Sequence, residues 1–395
     1  MTSATPLAGI RVVEFTHMVM GPTAGMALAD LGAEVIKVEP APAGDSTRHL
    51  TGSGTGFYAA FGRGRRSLCV DMKTREGRAL VQRLATRADV LIENFRPGAM
   101  AKLGLGYAEL AALNPRLVYC SCKGFLPGPY EHRTALDEVV QMMGGLAYMT
   151  GLEGRPLRAG SSVIDIMGGL SAVIAILAAL REREQTGQGG EVQAGLFETV
   201  ALLMAQHMAQ TRITGTAPPP MSTRLPAWPI YDVFETADGG QVFVGVVTDT
   251  SWPPFCDAFG LQDLAADPSL ATKQQRVQQR ARTVPRVAEA LRAYTKAELM
   301  AKCEALGLPF APIGRPADLF DDVHLNGSGG LVPLTLPDGR AVALPALPVT
   351  LDGARPGGAG DLRPPGADGA AIAAELGYSE SEIAALRAAR ILTGG

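Results

Sequence analysis

Between residues 10 and 121, short runs rich in β-branched and apolar side chains alternate with stretches whose apolar residues recur every three or four positions. The runs at 10–15, 34–39, 67–71, 90–94 and 117–121 predict strands, and the stretches at 23–31, 76–88 and 107–113 predict helices. Strand and helix in repetition imply a parallel sheet covered on both faces. The expected fold class is α/β, with a Rossmann-like, doubly wound large domain over residues 1–214. In such sheets ligands bind beyond the carboxyl ends of the strands. Two segments fall there: Thr16-His17-Met18-Val19-Met20-Gly21-Pro22 after the first strand, and Asn94-Phe95-Arg96-Pro97-Gly98 after the fourth.

Beyond a helix ending near 186 and another over about 196–214, the pattern changes. Residues 215–229 are rich in Pro, Thr and Ser and read as a linker. Alternation at 231–234 and 241–245 around Asp238-Gly239-Gly240 predicts a hairpin, followed by helices near 252–260, 283–295 and 297–306. These make a smaller α+β domain over 230–330. A second Pro/Gly-rich stretch, 355–369, precedes two closing helices at 370–376 and 379–389.

The segment Arg158-Ala-Gly-Ser-Ser-Val-Ile-Asp165-Ile-Met-Gly168-Gly169 opens a long apolar helix. Leu170, Val173, Ile174 and Leu177 have the spacing of a buried helical face, which puts Asp165 near the helix N-terminus. There the dipole and free N–H groups favour an anion. Gly168 and Gly169 let a ligand or another backbone come close. On this pattern alone Asp165 is either an ordinary capping aspartate or a working carboxylate.

Composition narrows the function classes. With 395 residues, 47% hydrophobic and 19% charged, the chain can form a large core and two folding units. A net charge of −3 provides no general field for nucleic acid or an anionic membrane, so neither is an expected partner. Cys69, Cys120, Cys122, Cys256 and Cys303 form no CxxC pair and have no zinc-like spacing to histidine. No metal site is expected, and a reduced, cytoplasmic compartment fits. No basic and apolar leader opens the sequence and no uncharged apolar run of membrane length follows, so export and insertion are not expected. The absence of GxGxxG after the first strand argues against a dinucleotide oxidoreductase, and the absence of GxxxxGK[ST] against a P-loop nucleotidase.

A family pattern is carried by Leu7-Ala-Gly-Ile-Arg-Val-Val-Glu-Phe-Thr, Gly21-Pro22, Leu31-Gly-Ala-Glu-Val-Ile-Lys-Val-Glu39-Pro, Gly44-Asp45, Arg66-Ser-Leu, Asp71-Met-Lys73, Ala88-Asp-Val-Leu-Ile-Glu-Asn-Phe-Arg-Pro-Gly98, Leu103-Gly-Leu-Gly-Tyr107, Asn114-Pro-Arg-Leu-Val-Tyr119, Gln141 with Gly144-Gly145, Thr186-Gly-Gln-Gly189 and Leu376-Gly-Tyr-Ser-Glu-Ser-Glu-Ile383. In number and order these resemble the class III CoA-transferases, the relatives of formyl-CoA transferase and of the CaiB/BaiF group. The resemblance implies an aspartyl nucleophile at Asp165 and acyl-CoA and carboxylic-acid substrates, with no permanently bound cofactor. It also implies that residues 331–395 return to the large domain and that two chains interlock as a homodimer.

By the same resemblance, the CoA contacts fall at Val70, Lys73, Asn94, Phe95, Arg96 and Lys102, with Val19, Met20, Arg133 and Thr134 nearer the pantetheine and thioester. Lys73 and Lys102 either neutralise phosphate or are solvated surface charges, and Phe95 suits adenine. The basic group Arg63, Arg65 and Arg66 is a further phosphate candidate or a solvated loop. His17, Asp137, Gly168 and Gly169 are candidates for substrate or oxyanion contacts, the glycine pair through backbone N–H groups. The chain departs from formyl-CoA transferases at Val19 and Met20, where they carry Gln and Ala, and lacks their glycine-run lid. A more apolar acyl contact is expected, suited to a C4 to C6 acid or a dicarboxylate, with succinyl-CoA as a donor. The alternative is an α-methylacyl-CoA racemase, in which a histidine base stands where this chain has Leu136, in Ala135-Leu136-Asp137-Glu138; His132 lies nearby and reads as a surface residue. A CoA-binding module without catalysis would have no need of Asp165 beside the glycine pair.

Overall fold

All five predicted strands form, and two further strands flank them. The computed structural model describes residues 5–224, 226–336, 338–357 and 360–394. Strands β1 (Arg11–Phe15), β2 (Glu34–Pro40), β3 (Arg65–Val70), β4 (Val90–Glu93), β5 (Val118–Lys123) and β6 (Gly190–Gly195) are parallel, and β7 (Leu392–Thr393) adds antiparallel to β3. Their order is β7-β3-β2-β1-β4-β5-β6. Because β1 pairs with both β2 and β4, the winding reverses between β1 and β4, and a crevice opens beyond their carboxyl ends. β6, Gly-Glu-Val-Gln-Ala-Gly, escaped the pattern because its glycines and polar residues break the apolar signal.

Successive residues of one strand enter opposite cores, as the two-residue period of a strand requires. Val12, Val35, Val90 and Val118 pack with Ala24 and Leu28 of α1 (Met20–Asp30), while Val13, Ile36 and Leu91 pack with Leu80, Leu84, Ile372 and Leu376. Each fully buried aliphatic side chain contributes roughly 1.5–3 kcal/mol. On the site side lie α2 (Asp137–Met143), the long α3 (Val163–Thr186) and α4 (Leu196–Leu203), and the helix expected to run to 214 breaks at Met204 before Ala205–Thr214.

The phase of α3 differs from expectation. Val173 is buried, but Ile174 is 69% exposed and Leu177 is also exposed; the inward stripe is Ile164, Gly168, Gly169, Ala172, Val173, Ile176 and Leu180. The helix is apolar almost all round, so periodicity could not fix which face turns inward. Among the described residues it alone is long and apolar enough to cross a membrane; here its inward stripe is part of the core over the sheet.

The chain divides into two compact units, one running to Ser222 and resuming at Val323, the other Thr223–Asp322. The expected linker 215–229 is divided between them. The Met221 N–H donates to Met149 O and the Ser222 hydroxyl to Gly151 O in the large unit, whereas the Trp228 ring lies tilted against Tyr231 and Arg280 donates to Trp228 O in the small one. The small unit has its own core over a three-stranded antiparallel sheet, Ile230–Glu235, Gln241–Val246 and Phe310–Pro312. The closing segment packs within the large unit: the Gly366 N–H donates to Ser67 Oγ, and the Ser67 N–H to Asp368. It carries an unpredicted hairpin, Leu331–Thr335 with Ala341–Pro345.

Candidate active site

A cavity of about 290 Å³ lies in the large unit at the β1/β4 crevice. His17, Met18 and Met20 line it from the end of β1 and the start of α1, Asn94 follows β4, and Lys123 ends β5. Ala135 to Glu138 reach it from the start of α2, Ser162 and Asp165 from the start of α3, and Phe57 and Leu196 complete an apolar wall. That volume is at the small end for a ligand pocket, suited to an acyl group rather than to a whole nucleotide.

Asp165 is the third residue of α3, in its first turn. Ser162, at the capping position, makes no side-chain cap. The cap comes instead from Asp137, buried at the start of α2, whose Oδ2 accepts the N–H groups of Ile164 at 2.8 Å and Asp165 at 3.1 Å. Its Oδ1 accepts from Gln141 Nε2, and Gln141 Oε1 accepts the Ala159 N–H at 2.9 Å. The backbone carrying Asp165 is thus tied to α2 by a buried carboxylate–amide pair. Burial pushes the Asp165 carboxyl up to about 7, reinforced by the negative charges of Asp137 and Glu138. Glu138 is itself paired with Arg158 at 3.3 Å. Among the described residues nothing donates a hydrogen bond to the Asp165 carboxyl, which is therefore desolvated, basic and unpaired.

The loop after β1 is gripped from β4. Asn94 Oδ1 accepts the His17 N–H at 3.1 Å and Asn94 Nδ2 donates to His17 O at 2.8 Å. The amide expected to meet CoA is therefore committed to the backbone. Burial lowers the His17 pKa, so the imidazole entering the cavity is neutral at pH 7. Val19, expected at the thioester, is fully buried and does not line the cavity; Met18 and Met20 do. The cause is a left-handed backbone at Met18, φ 61°, which redirects successive side chains.

The glycine pair does not form an oxyanion hole. A Cβ at Gly169 would sit 2.4 Å from Met20 O, and one at Gly168 2.9 Å from Met20 Cε, so the pair exists to let α1 and α3 touch. Beyond the first turn its N–H groups belong to the helix ladder. The basic group is also excluded as a phosphate site: Arg63 is buried on Asp30, Arg65 on Glu14, and Arg66 bridges Glu34 and Glu375. Lys73, Arg96 and Lys102 are exposed, and no ion pair holds them among the described residues. Met72 and Phe95, sequence neighbours of Lys73 and Arg96, are partly buried against the same core. Val70 is fully buried, and exposed Arg133 rests over the Tyr130 ring at 4.8 Å. His132 is on the surface beside Glu131, and no titratable side chain stands at exposed Leu136.

Met18, Phe57, Lys123, Glu138, Ser162 and Leu196 were not singled out in sequence. Lys123 was within reach of the strand-end rule, but β5 was expected to end two residues earlier; its ammonium pairs with Glu93 at 2.5 Å and donates to Phe95 O at 3.0 Å.

Residues 7–368 match CoA-transferase family III. The chain is 36% identical to a succinate–glutarate CoA-transferase of Agrobacterium fabrum, over 85% of this chain and 87% of that protein. It is 33% identical to a succinyl-CoA–D-citramalate CoA-transferase of Chloroflexus aurantiacus, over 98% of each. The crystal structure of a CaiB/BaiF family protein from Brucella suis superposes with a TM-score of 0.84 at 35% identity, over 94% of this chain and all of that one.

Proposed function

Because the chain belongs to CoA-transferase family III and is a CoA-transferase acting on CoA thioesters, we propose that Asp165 is its nucleophile and that it moves CoA from succinyl-CoA or a similar donor to a C4 to C6 acid, preferably a dicarboxylate. The observation that carries this reading is the free, basic carboxyl of Asp165 in a cavity at the sheet's switch point. The apolar wall of Met18, Met20, Phe57 and Leu196 suits a short methylene chain, and the Agrobacterium and Chloroflexus relatives are named for succinate, glutarate and citramalate.

An Asp165 oxygen attacks the thioester carbonyl and expels CoA thiolate, leaving a mixed anhydride. The thiolate attacks the aspartyl carbonyl, releases the donor acid and forms an aspartyl-CoA thioester. The acceptor carboxylate attacks that thioester, and the thiolate set free attacks the acceptor's acyl carbon in the new anhydride. Product thioester leaves and the Asp165 carboxylate is restored. Anhydride and thioester are similarly activated, so no other energy source is needed. Neutral His17 can donate to a developing oxyanion, and Lys73, Arg96, Lys102 and Phe95 suit the phosphates and adenine.

The test is mass spectrometry of protein incubated with acyl-CoAs and trapped with hydroxylamine. A hydroxamate at Asp165, strongest with succinyl-CoA, is the expected result; labelling only elsewhere removes the mechanism. An α-proton exchange reaction would need a second base at Leu136, which supplies none.

The same reading includes a homodimer. Ile174, Leu202, Met208 and Ile213 are exposed on α3, α4 and the helix after it, an apolar surface of the kind that a second copy covers. Sedimentation is expected to give twice the chain mass, and a monomer at micromolar concentration would exclude it.

A further inference from the structure

Met18 is a residue without a short polar side chain held in the left-handed region, φ 61°, at the wall of the cavity. For an L-residue of this kind that conformation costs roughly 1–2 kcal/mol, so something must hold it. The Met18 N–H donates to Thr47 Oγ at 2.9 Å, and the same hydroxyl donates to Asp45 Oδ1 at 2.8 Å. Asp45 pairs with Lys37 at 3.0 Å, and the Lys37 ammonium donates to Thr16 O at 2.6 Å and to Glu14. Thr47, Asp45 and Lys37 are all buried. The chain is thus anchored at Thr16 by Lys37, at His17 by Asn94 and at Met18 by Thr47.

We propose that Thr47 is a positioning residue for the acyl site: by accepting the Met18 N–H it fixes the left-handed turn that presents His17 and Met18 to the cavity and turns Val19 into the core. This rests on the reading of Asp165 as nucleophile. If Met18 relaxed to an ordinary backbone, the alternation of side chains after β1 would change phase and the apolar wall facing the acyl group would be lost. Thr47 touches no substrate in this account; it acts through the backbone of residue 18.

The experiment is the single-turnover rate of Asp165 labelling by succinyl-CoA, with thermal midpoint followed in parallel. Thr47→Val removes the hydroxyl at constant size, and labelling is expected to slow about tenfold or more, the equivalent of the left-handed penalty. Glycine adopts positive φ freely. In a Met18→Gly background the further cost of Thr47→Val should therefore shrink below about threefold, while in a Met18→Ala background it should persist. An equal cost in the glycine and alanine backgrounds, or no cost at all, overturns the inference. Should Thr47→Val fail to fold, Thr47→Ser carries the test, since it keeps the hydroxyl: labelling within about threefold of the unsubstituted protein supports the proposal and a tenfold loss overturns it. No labelling in the unsubstituted protein instead overturns the Asp165 reading, and this inference with it.

Discussion

Asp165→Ala is expected to reduce CoA transfer by at least about 10⁴-fold while thioester affinity changes only a few-fold, because in the proposed mechanism the substitution removes the atom that bonds to the acyl group and little of the binding surface. Steady-state turnover together with calorimetric titration of CoA separates the two effects. Turnover above about a hundredth of the original would exclude an aspartyl intermediate. Asp165→Asn should also be more stable than the parent above neutrality. The folded state raises this carboxyl from 3.8 to about 7, so it favours the protonated form. The stabilisation from that proton is fully present below pH 3.8 and is lost as pH rises through about 7, where the folded protein must hold a desolvated charge. The amide escapes that cost, a gain of about 2–4 kcal/mol at pH 8 that vanishes near pH 4. Thermal denaturation at the two pH values tests the sign, and equal midpoints for the two proteins at pH 8 would contradict the assigned shift.

Asp137→Ala is expected to be the most damaging change outside Asp165. It leaves the N–H groups of Ile164 and Asp165 and the Gln141 amide without their acceptor inside the protein, costing about 3–5 kcal/mol. Asp137→Asn is the sharper probe. Its oxygen can still cap both N–H groups, but its NH₂ then meets Gln141 Nε2, donor against donor, unless the Gln141 amide turns over and forfeits the Ala159 N–H. The lost charge also removes one of the two carboxylates that, after burial, hold the Asp165 pKa up. The acid limb of kcat/KM, expected near 7, should therefore move to lower pH, and the rate above pH 8 should fall about tenfold as the Asp165 carboxylate, the proposed nucleophile, becomes less basic. An acid limb left in place would show that the Asp137 charge does not contribute to the raised Asp165 pKa.

Several assignments failed in sequence for one physical reason: they depended on which segment lies opposite. Arg63, Arg65 and Arg66 look like a phosphate group until α1, β1 and β2 supply Asp30, Glu14 and Glu34. Gly168 and Gly169 read equally as room for a ligand or for another backbone until α1 is found against them. Asn94 was correctly placed at the crevice, but its partner, the His17 backbone, lies 77 residues away. Asp137 was identified through resemblance, yet its bond to the very turn that carries Asp165 has no local signature.

What the sequence determined by itself was the strand–helix alternation, the strand ends at His17 and Asn94, and the position of Asp165 in the first turn of α3, since these follow from periods of two and 3.6 residues read within one segment. The tertiary structure alone decided that β1 lies between β2 and β4, that Met18 rather than Val19 faces the cavity, and that Asp137 caps α3. Those outcomes depend on packing between segments far apart in the chain, where burial, charge pairing and backbone conformation are settled together.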